Sequence, residues 1–127
     1  MDKLVLTLLP HAYGVYRLDS NSLVDFPDSP EGGFFSVTRT ADELSIICRE
    51  ELLSEDCAQE KGFRLFKVEG PLDFSLTGIL ATLLNPLAAA GVAVFTISTY
   101  DTDYLMVKAG KLDEAISALS AVAKIAC

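Results

Sequence analysis

The strongest constraint on the fold is an internal repeat, seen when the second half of the chain is laid on the first. Phe35-Ser36-Val37-Thr38 falls on Phe95-Thr96-Ile97-Ser98, Ile46-Ile47 on Met106-Val107, and Val5-Leu6 on Leu65-Phe66, all at the same shift. Residues 1–62 and 63–127 therefore read as two copies of one small βαββα unit. A unit of this size buries too little surface to be stable alone, because the buried fraction of a chain falls with its length. The two copies are expected to pack together, side by side.

Periodicity fills in the units. Residues 3–9 and 13–18 are strand-like and are separated by Pro10. Residues 19–33 collect Ser, Asn, Asp, Pro and Gly and read as a long loop with one helical turn over 22–26. Residues 34–38 and 43–48 form strands about a polar turn, and 50–62 is expected to carry a short helix. Residues 63–69 alternate apolar and polar side chains as a half-buried strand does. The clearest helix follows: Leu76, Ile79, Leu80, Leu83, Leu84 and Leu87 recur at the spacing of one buried face. Asp73 or Ser75 is placed to cap its start and Gly91 to end it, while Pro86 is expected to bend it near Thr82. Strands at 92–98 and 104–108 flank a turn at 99–103. A last helix buries Leu112, Ala115, Ile116, Leu119, Val122 and Ala123. The first copy has a strand and loop where the second has its long helix, and is in that sense degenerate.

Charge and composition exclude several classes. Lys and Arg number 10 against 18 Asp and Glu, a formal net charge of −8. Phosphate backbones are held by clustered basic residues, and no stretch here is dominated by them, so nucleic acid is not an expected partner. Half of the residues are hydrophobic, which excludes disorder. A spanning helix needs about 20 mainly apolar residues, and Asn85-Pro86 and Gly91 interrupt the one long uncharged stretch, so no membrane partner is expected. Met1-Asp2-Lys3-Leu4 runs into a strand without the basic stretch of a signal peptide, and the expected compartment is the cytoplasm. Cys48, Cys57 and Cys127 are odd in number and lack the paired spacing of zinc or redox sites. His11 is the single histidine, and no phosphate-cradling glycine motif occurs. No catalytic residue, metal or cofactor is expected.

Two stretches carry a family resemblance. Gly70-Pro71-Leu72-Asp73-Phe74-Ser75-Leu76-Thr77-Gly78-Ile79-Leu80, followed by Leu87-Ala88-Ala89-Ala90-Gly91-Val92 and the segment Ile97-Ser98-Thr99-Tyr100-Asp101-Thr102-Asp103-Tyr104, resembles the ACT-domain family. The likeness is to its small tandem members, such as cytosolic arginine sensors and the regulatory end of aspartokinases. The stretch 34–38 with 43–46 is similar to the first-domain half of the same pattern. This resemblance implies an α+β fold of two tandem ferredoxin-like (βαββαβ) units. It also implies a regulatory, allosteric role, with an amino acid bound at an interface between units and the output passed to a partner enzyme or signalling protein.

The chemistry of those residues is compatible with that role. A loop opening a helix presents backbone N–H groups that lack internal partners and suit a carboxylate; here the candidates are Pro71, Leu72, Asp73, Phe74, Ser75 and Leu76. Asp101 and Asp103 offer acceptors to an ammonium or guanidinium, and Ser98, Thr99 and Thr102 add hydroxyls. The same residues also have an ordinary reading, with Asp73 and Ser75 as caps and Asp101-Thr102-Asp103 as a hairpin turn. A ligand-free interaction module and a small enzyme are the alternative classes, although no base and nucleophile can be paired by spacing. An apolar fraction of 50% in so short a chain points to a hydrophobic interface and a homodimer.

Overall fold

The computed structural model describes residues 4–25, 33–52, 57–70 and 78–126. Its strands are β1 (Leu4–Leu8), β2 (Tyr13–Leu18), β3 (Ser36–Arg39), β4 (Leu44–Arg49), β5 (Ala58–Val68), β6 (Phe95–Ser98), β7 (Asp103–Lys108) and β8 (Ala123–Ala126), and its helices are α1 (Ile79–Ala89) and α2 (Leu112–Leu119). The chain divides into two compact units: Pro10–Phe63, and Met1–Leu9 together with Arg64–Cys127. They are called here the inserted unit and the C-terminal unit.

In the inserted unit the strands run β3-β4-β2-β5, each antiparallel to its neighbour. Alternation turns Leu44, Ile46 and Cys48 of β4 and Tyr16 of β2 into one buried cluster. Gly14 makes room for it. A Cβ there would stand 2.6 Å from the Tyr16 hydroxyl and 2.8 Å from the nearest ring carbon. Without one, the ring lies across the strand and its hydroxyl donates to the Glu50 carbonyl at 3.3 Å. Between Tyr13 and Val15 of β2 the register on β5 steps from Phe63 to Glu60. The extra β5 residue is a bulge, made with Gly62 at φ 81° and held by its N–H donating to Glu50 Oε2 at 2.7 Å. No α-helix occurs among the described residues of this unit, which has only the 3-10 turn Glu50–Leu52.

The C-terminal unit has β6-β7-β5-β1-β8 in order, with β1 antiparallel to β5 and parallel to β8. Leu83 and Leu87 of α1 and Ala115 and Leu119 of α2 share one core with Leu6, Phe66, Val68, Leu105 and Val107. Mixed α+β layering is thus carried by this unit. The end of α1 follows from its sequence. Gly91 takes φ 74°, the Gly91 N–H donates to the Ala88 carbonyl at 3.0 Å, and the Val92 N–H donates to the Leu87 carbonyl at 2.9 Å. That pair of bonds is a Schellman motif, and the contact between its buried flanking residues Leu87 and Val92 accompanies it. Pro86 lies inside α1, where its ring nitrogen cannot donate to the Thr82 carbonyl. Asp113 and Glu114 lie in the first turn of α2, where acidic groups are favoured by the helix dipole.

Several expectations are corrected. Residues 1–9 group with the C-terminal unit, not with a unit spanning 1–62, because Leu6 enters the core there between β5 and β8. The division after Phe63 falls inside β5, which begins at Ala58 where a short helix was expected over 50–62. Residues 22–25 form no helical turn. Instead the Ser22 N–H closes on the Asp19 carbonyl at 2.9 Å, and the Arg39 guanidinium donates to the Ser20 and Ser22 carbonyls. Helix α2 stops at Leu119, and Ala123 lies in β8 instead. There the edge of β1 supplies a parallel ladder to Ala123 and Ile125. The expected caps Asp73 and Ser75, and Leu76, lie outside the described residues.

Two substitutions test this account by urea unfolding. Gly14→Ala forces the Tyr16 ring out of place and should cost about 1–3 kcal/mol. Gly91→Ala puts a Cβ on a left-handed residue and should cost about 1–2 kcal/mol, although no atom lies within 4 Å of that Cβ.

Candidate functional site

The turn between β6 and β7 is built by a threonine. The Thr99 N–H donates to the Thr102 carbonyl at 2.8 Å. The Thr99 hydroxyl donates to the same carbonyl at 3.1 Å and accepts the Thr102 N–H at 3.3 Å. The β3–β4 turn repeats this set. The Thr40 N–H donates to the Glu43 carbonyl at 2.9 Å, and the Thr40 hydroxyl donates to that carbonyl at 3.4 Å and accepts the Glu43 N–H at 3.2 Å. The last ladder pair Arg39–Leu44 thus matches Ser98–Asp103. The lettering of the sequence instead lays Thr38 on Ser98, so the structural repeat is one position shorter than the one the letters suggest. That difference decides which side chains face the core, because strand side chains alternate.

Most of the turn residues singled out from the sequence are committed to the hairpin. The Ser98 hydroxyl donates to Asp103 Oδ1 at 2.5 Å. Thr102 is buried, only 5% exposed, and its hydroxyl donates to the Val68 carbonyl at 2.5 Å. That bond ties the hairpin to β5. Among the described residues, the turn's internal bonds do not use the exposed Asp101 carboxylate.

Beside this turn lies a cavity of about 180 Å³ lined by Lys67, Gly70, Thr99, Asp101, Thr102 and Tyr104. Phe66 and Val68 face the core, so Lys67 between them faces the opposite way. Its Nζ is 3.7 Å from Glu69 Oε1, and Glu69 Oε2 accepts the Thr7 hydroxyl at 3.2 Å. Tyr104 precedes the core residue Leu105 and by the same alternation shares the face of Lys67. The structure therefore gathers Thr99, Asp101 and Thr102 around one cavity, while Ser98 and Asp103 pair with each other outside its lining. Pro71, Leu72, Asp73, Phe74, Ser75 and Leu76 lie outside the described residues. Lys67 and Tyr104 were missed by the sequence reading. Alternation already turned Lys67 outward, but nothing in the sequence says which turn a strand end will adjoin.

The inserted unit has a related arrangement with a different occupant. Arg17 precedes the inward Leu18 as Lys67 precedes Val68. Its Nη2 donates to the Asp42 carbonyl of the Thr40 turn at 3.2 Å.

Among its described residues the site offers a cation, a carboxylate and hydroxyls. Cys48, in the other unit, is buried, and that burial pushes its thiol up to about 11, which keeps the nucleophilic thiolate scarce. Among the described residues no group of three or more His, Cys, Asp or Glu could hold a metal ion, and no helix is long and apolar enough to cross a membrane.

The hairpin tie has a direct test. Thr102→Val keeps the shape but removes the donor to a buried carbonyl and should cost about 1–3 kcal/mol, whereas Thr102→Ser should recover most of it; guanidinium unfolding of the two variants measures the difference.

Comparison with known proteins agrees with this architecture. A family model described as ACT domain matches residues 59–121, and a second, for an N-terminal domain, matches residues 11–56. An Agobacterium tumefaciens protein of known crystal structure is 33% identical, with a TM-score of 0.87 over 98% of this chain and 93% of that one. The regulatory subunit of aspartate kinase from Thermus thermophilus shares the fold at 11% identity, with a TM-score of 0.60 over 95% of this chain and 97% of that one. The bovine cytosolic arginine sensor for mTORC1 subunit 1 is 29% identical over 101 residues, 79% of this chain but 30% of the sensor. The chain thus spans about a third of the length of that curated relative. With an ACT match over the C-terminal unit and a relative covered almost end to end, the chain belongs to the ACT-domain family.

Proposed function

We propose that this chain is a regulatory protein that binds an amino acid in the cavity at the β6–β7 turn and passes that signal to a partner protein. The observation that carries the reading is the lining of the cavity, which pairs one ammonium, Lys67, with one carboxylate, Asp101, beside the Thr99 and Thr102 turn and Tyr104. A free amino acid is a zwitterion and needs one group of each sign. Its ammonium would meet Asp101 and its carboxylate Lys67, through charge-assisted bonds stronger than neutral ones. The kinship with an arginine sensor and with aspartate kinase regulatory subunits supports sensing in the cytoplasm in place of catalysis. The exposed Phe95 and Tyr100 on the β6–β7 hairpin support action as a homodimer. Light scattering at tens of micromolar should then report twice the chain mass, and a monomer would remove the dimer from this reading.

A thermal-shift screen against the protein amino acids tests the binding. A ligand at about a hundred times its Kd should stabilise the fold by about 2.7 kcal/mol and raise the melting temperature. Asp101→Ala should weaken that ligand roughly ten- to a hundred-fold, about 1.4–2.8 kcal/mol. Asp42→Ala changes the equivalent aspartate of the other turn and should leave binding unchanged. If no amino acid at millimolar concentration moves the melt, the ligand-free interaction module is the better account.

A further inference from the structure

The charges around the cavity go further than a generic amino-acid site. We propose that Lys67 sets its specificity, holding the ligand's α-carboxylate and barring amino acids with a cationic side chain, so that the preferred ligand is compact and carries no second positive charge, as in alanine or serine. This rests on reading the cavity as an amino-acid site.

Among the described residues the lining holds one positive and one negative side chain, and the backbone charges of a bound amino acid use both. A ligand with a further cation finds no second carboxylate among the described lining residues. Asp103 receives the Ser98 hydroxyl, and Glu69 already receives Lys67 and the Thr7 hydroxyl; neither lines the cavity. The added cation would instead sit close to the Lys67 ammonium, and like charges at such range repel. Size acts in the same direction. A cavity of about 180 Å³ holds roughly six water-sized groups at about 30 Å³ each, enough for a compact amino acid. Arginine has roughly twice as many non-hydrogen atoms as alanine and would have to extend past Lys67.

The inserted unit fixes the orientation. There a guanidinium of the chain itself, that of Arg17, reaches the Asp42 carbonyl of the equivalent turn. This kind of turn therefore receives a cation. In the C-terminal unit the shorter Lys67 lies against Glu69 instead and leaves the turn side of the cavity to the ligand's ammonium. An ammonium has three donors, so Lys67 can keep Glu69 and still bind a carboxylate.

Isothermal titration calorimetry of the full chain with L-alanine, L-serine, L-aspartate and L-arginine tests the proposal, alongside Lys67→Gln and Lys67→Glu. Both variants change a part-exposed side chain, and circular dichroism checks their folding. On the native chain, alanine or serine should bind at least ten-fold more tightly than arginine. Lys67→Gln should weaken the preferred ligand roughly ten-fold or more and narrow the gap to arginine, and Lys67→Glu should narrow it further or invert it. Arginine binding the native chain as tightly as alanine or serine would overturn the role of Lys67 while leaving the amino-acid reading in place. So would variants that keep both the affinity and the discrimination. Failure of all four ligands to bind would overturn both.

Discussion

One buried hydrogen bond fixes the tip of the β6–β7 hairpin against β5, beside the proposed site. The Thr102 hydroxyl donates to the Val68 carbonyl from a nearly inaccessible position, where an unmade bond would be costly. It fastens the β6–β7 hairpin to the end of β5, and the cavity exists because those two ends meet. Together with the pairing of β7 on β5, it sets Asp101 and Lys67, far apart in the sequence, on the lining of one cavity. The bond also commits the Thr102 hydroxyl to the fold, so the proposed recognition rests on the charged side chains.

The two units show how one scaffold can be used in two ways. Each has a hairpin closed by the same threonine turn, and each places a basic residue on the strand beside it. In the inserted unit Arg17 reaches the turn, and Arg39 pins the following loop at Ser20 and Ser22. That unit is internally satisfied around its turn. In the C-terminal unit the corresponding lysine points to Glu69, and a polar cavity stands beside the turn. Changing the reach of one cation is a small step in sequence with a large consequence for what the site presents, since Arg offers a long planar fork and Lys a compact point charge.

Much of the fold was legible because it follows from local rules. The strand Tyr13–Leu18 was expected at its observed limits, because a short run of aromatic and β-branched residues set off by a proline reads as a strand. The end of α1 at Gly91 was legible because a left-handed residue there favours glycine. The errors fall where the partner of a segment decides its form. Ala123 continued a helical pattern in the sequence, but a parallel ladder with Leu4 places it in β8. Residues 50–62 read as a charged segment with a short helix, yet β2 supplies a ladder for Ala58, Gln59 and Glu60. At the site, the sequence pointed to the turn and to Asp101 but not to Lys67 or Tyr104. Lys67 reaches the cavity through the pairing of strands distant in the chain, whereas Tyr104 follows the turn directly and lines the cavity from β7.

What the sequence determined by itself is the repeated hairpin, the helix face of the second copy and the chemistry of its turn, since periodicity and turn residues act over a few positions. The tertiary structure decided the rest. It moved the repeat by one position, setting Arg39 rather than Thr38 against Ser98, because strand register is set by which face must be buried. It placed Leu4–Leu8 between β5 and β8, because Leu6 is covered only in that core. It also brought one lysine to one aspartate across a cavity, a juxtaposition that no local pattern encodes.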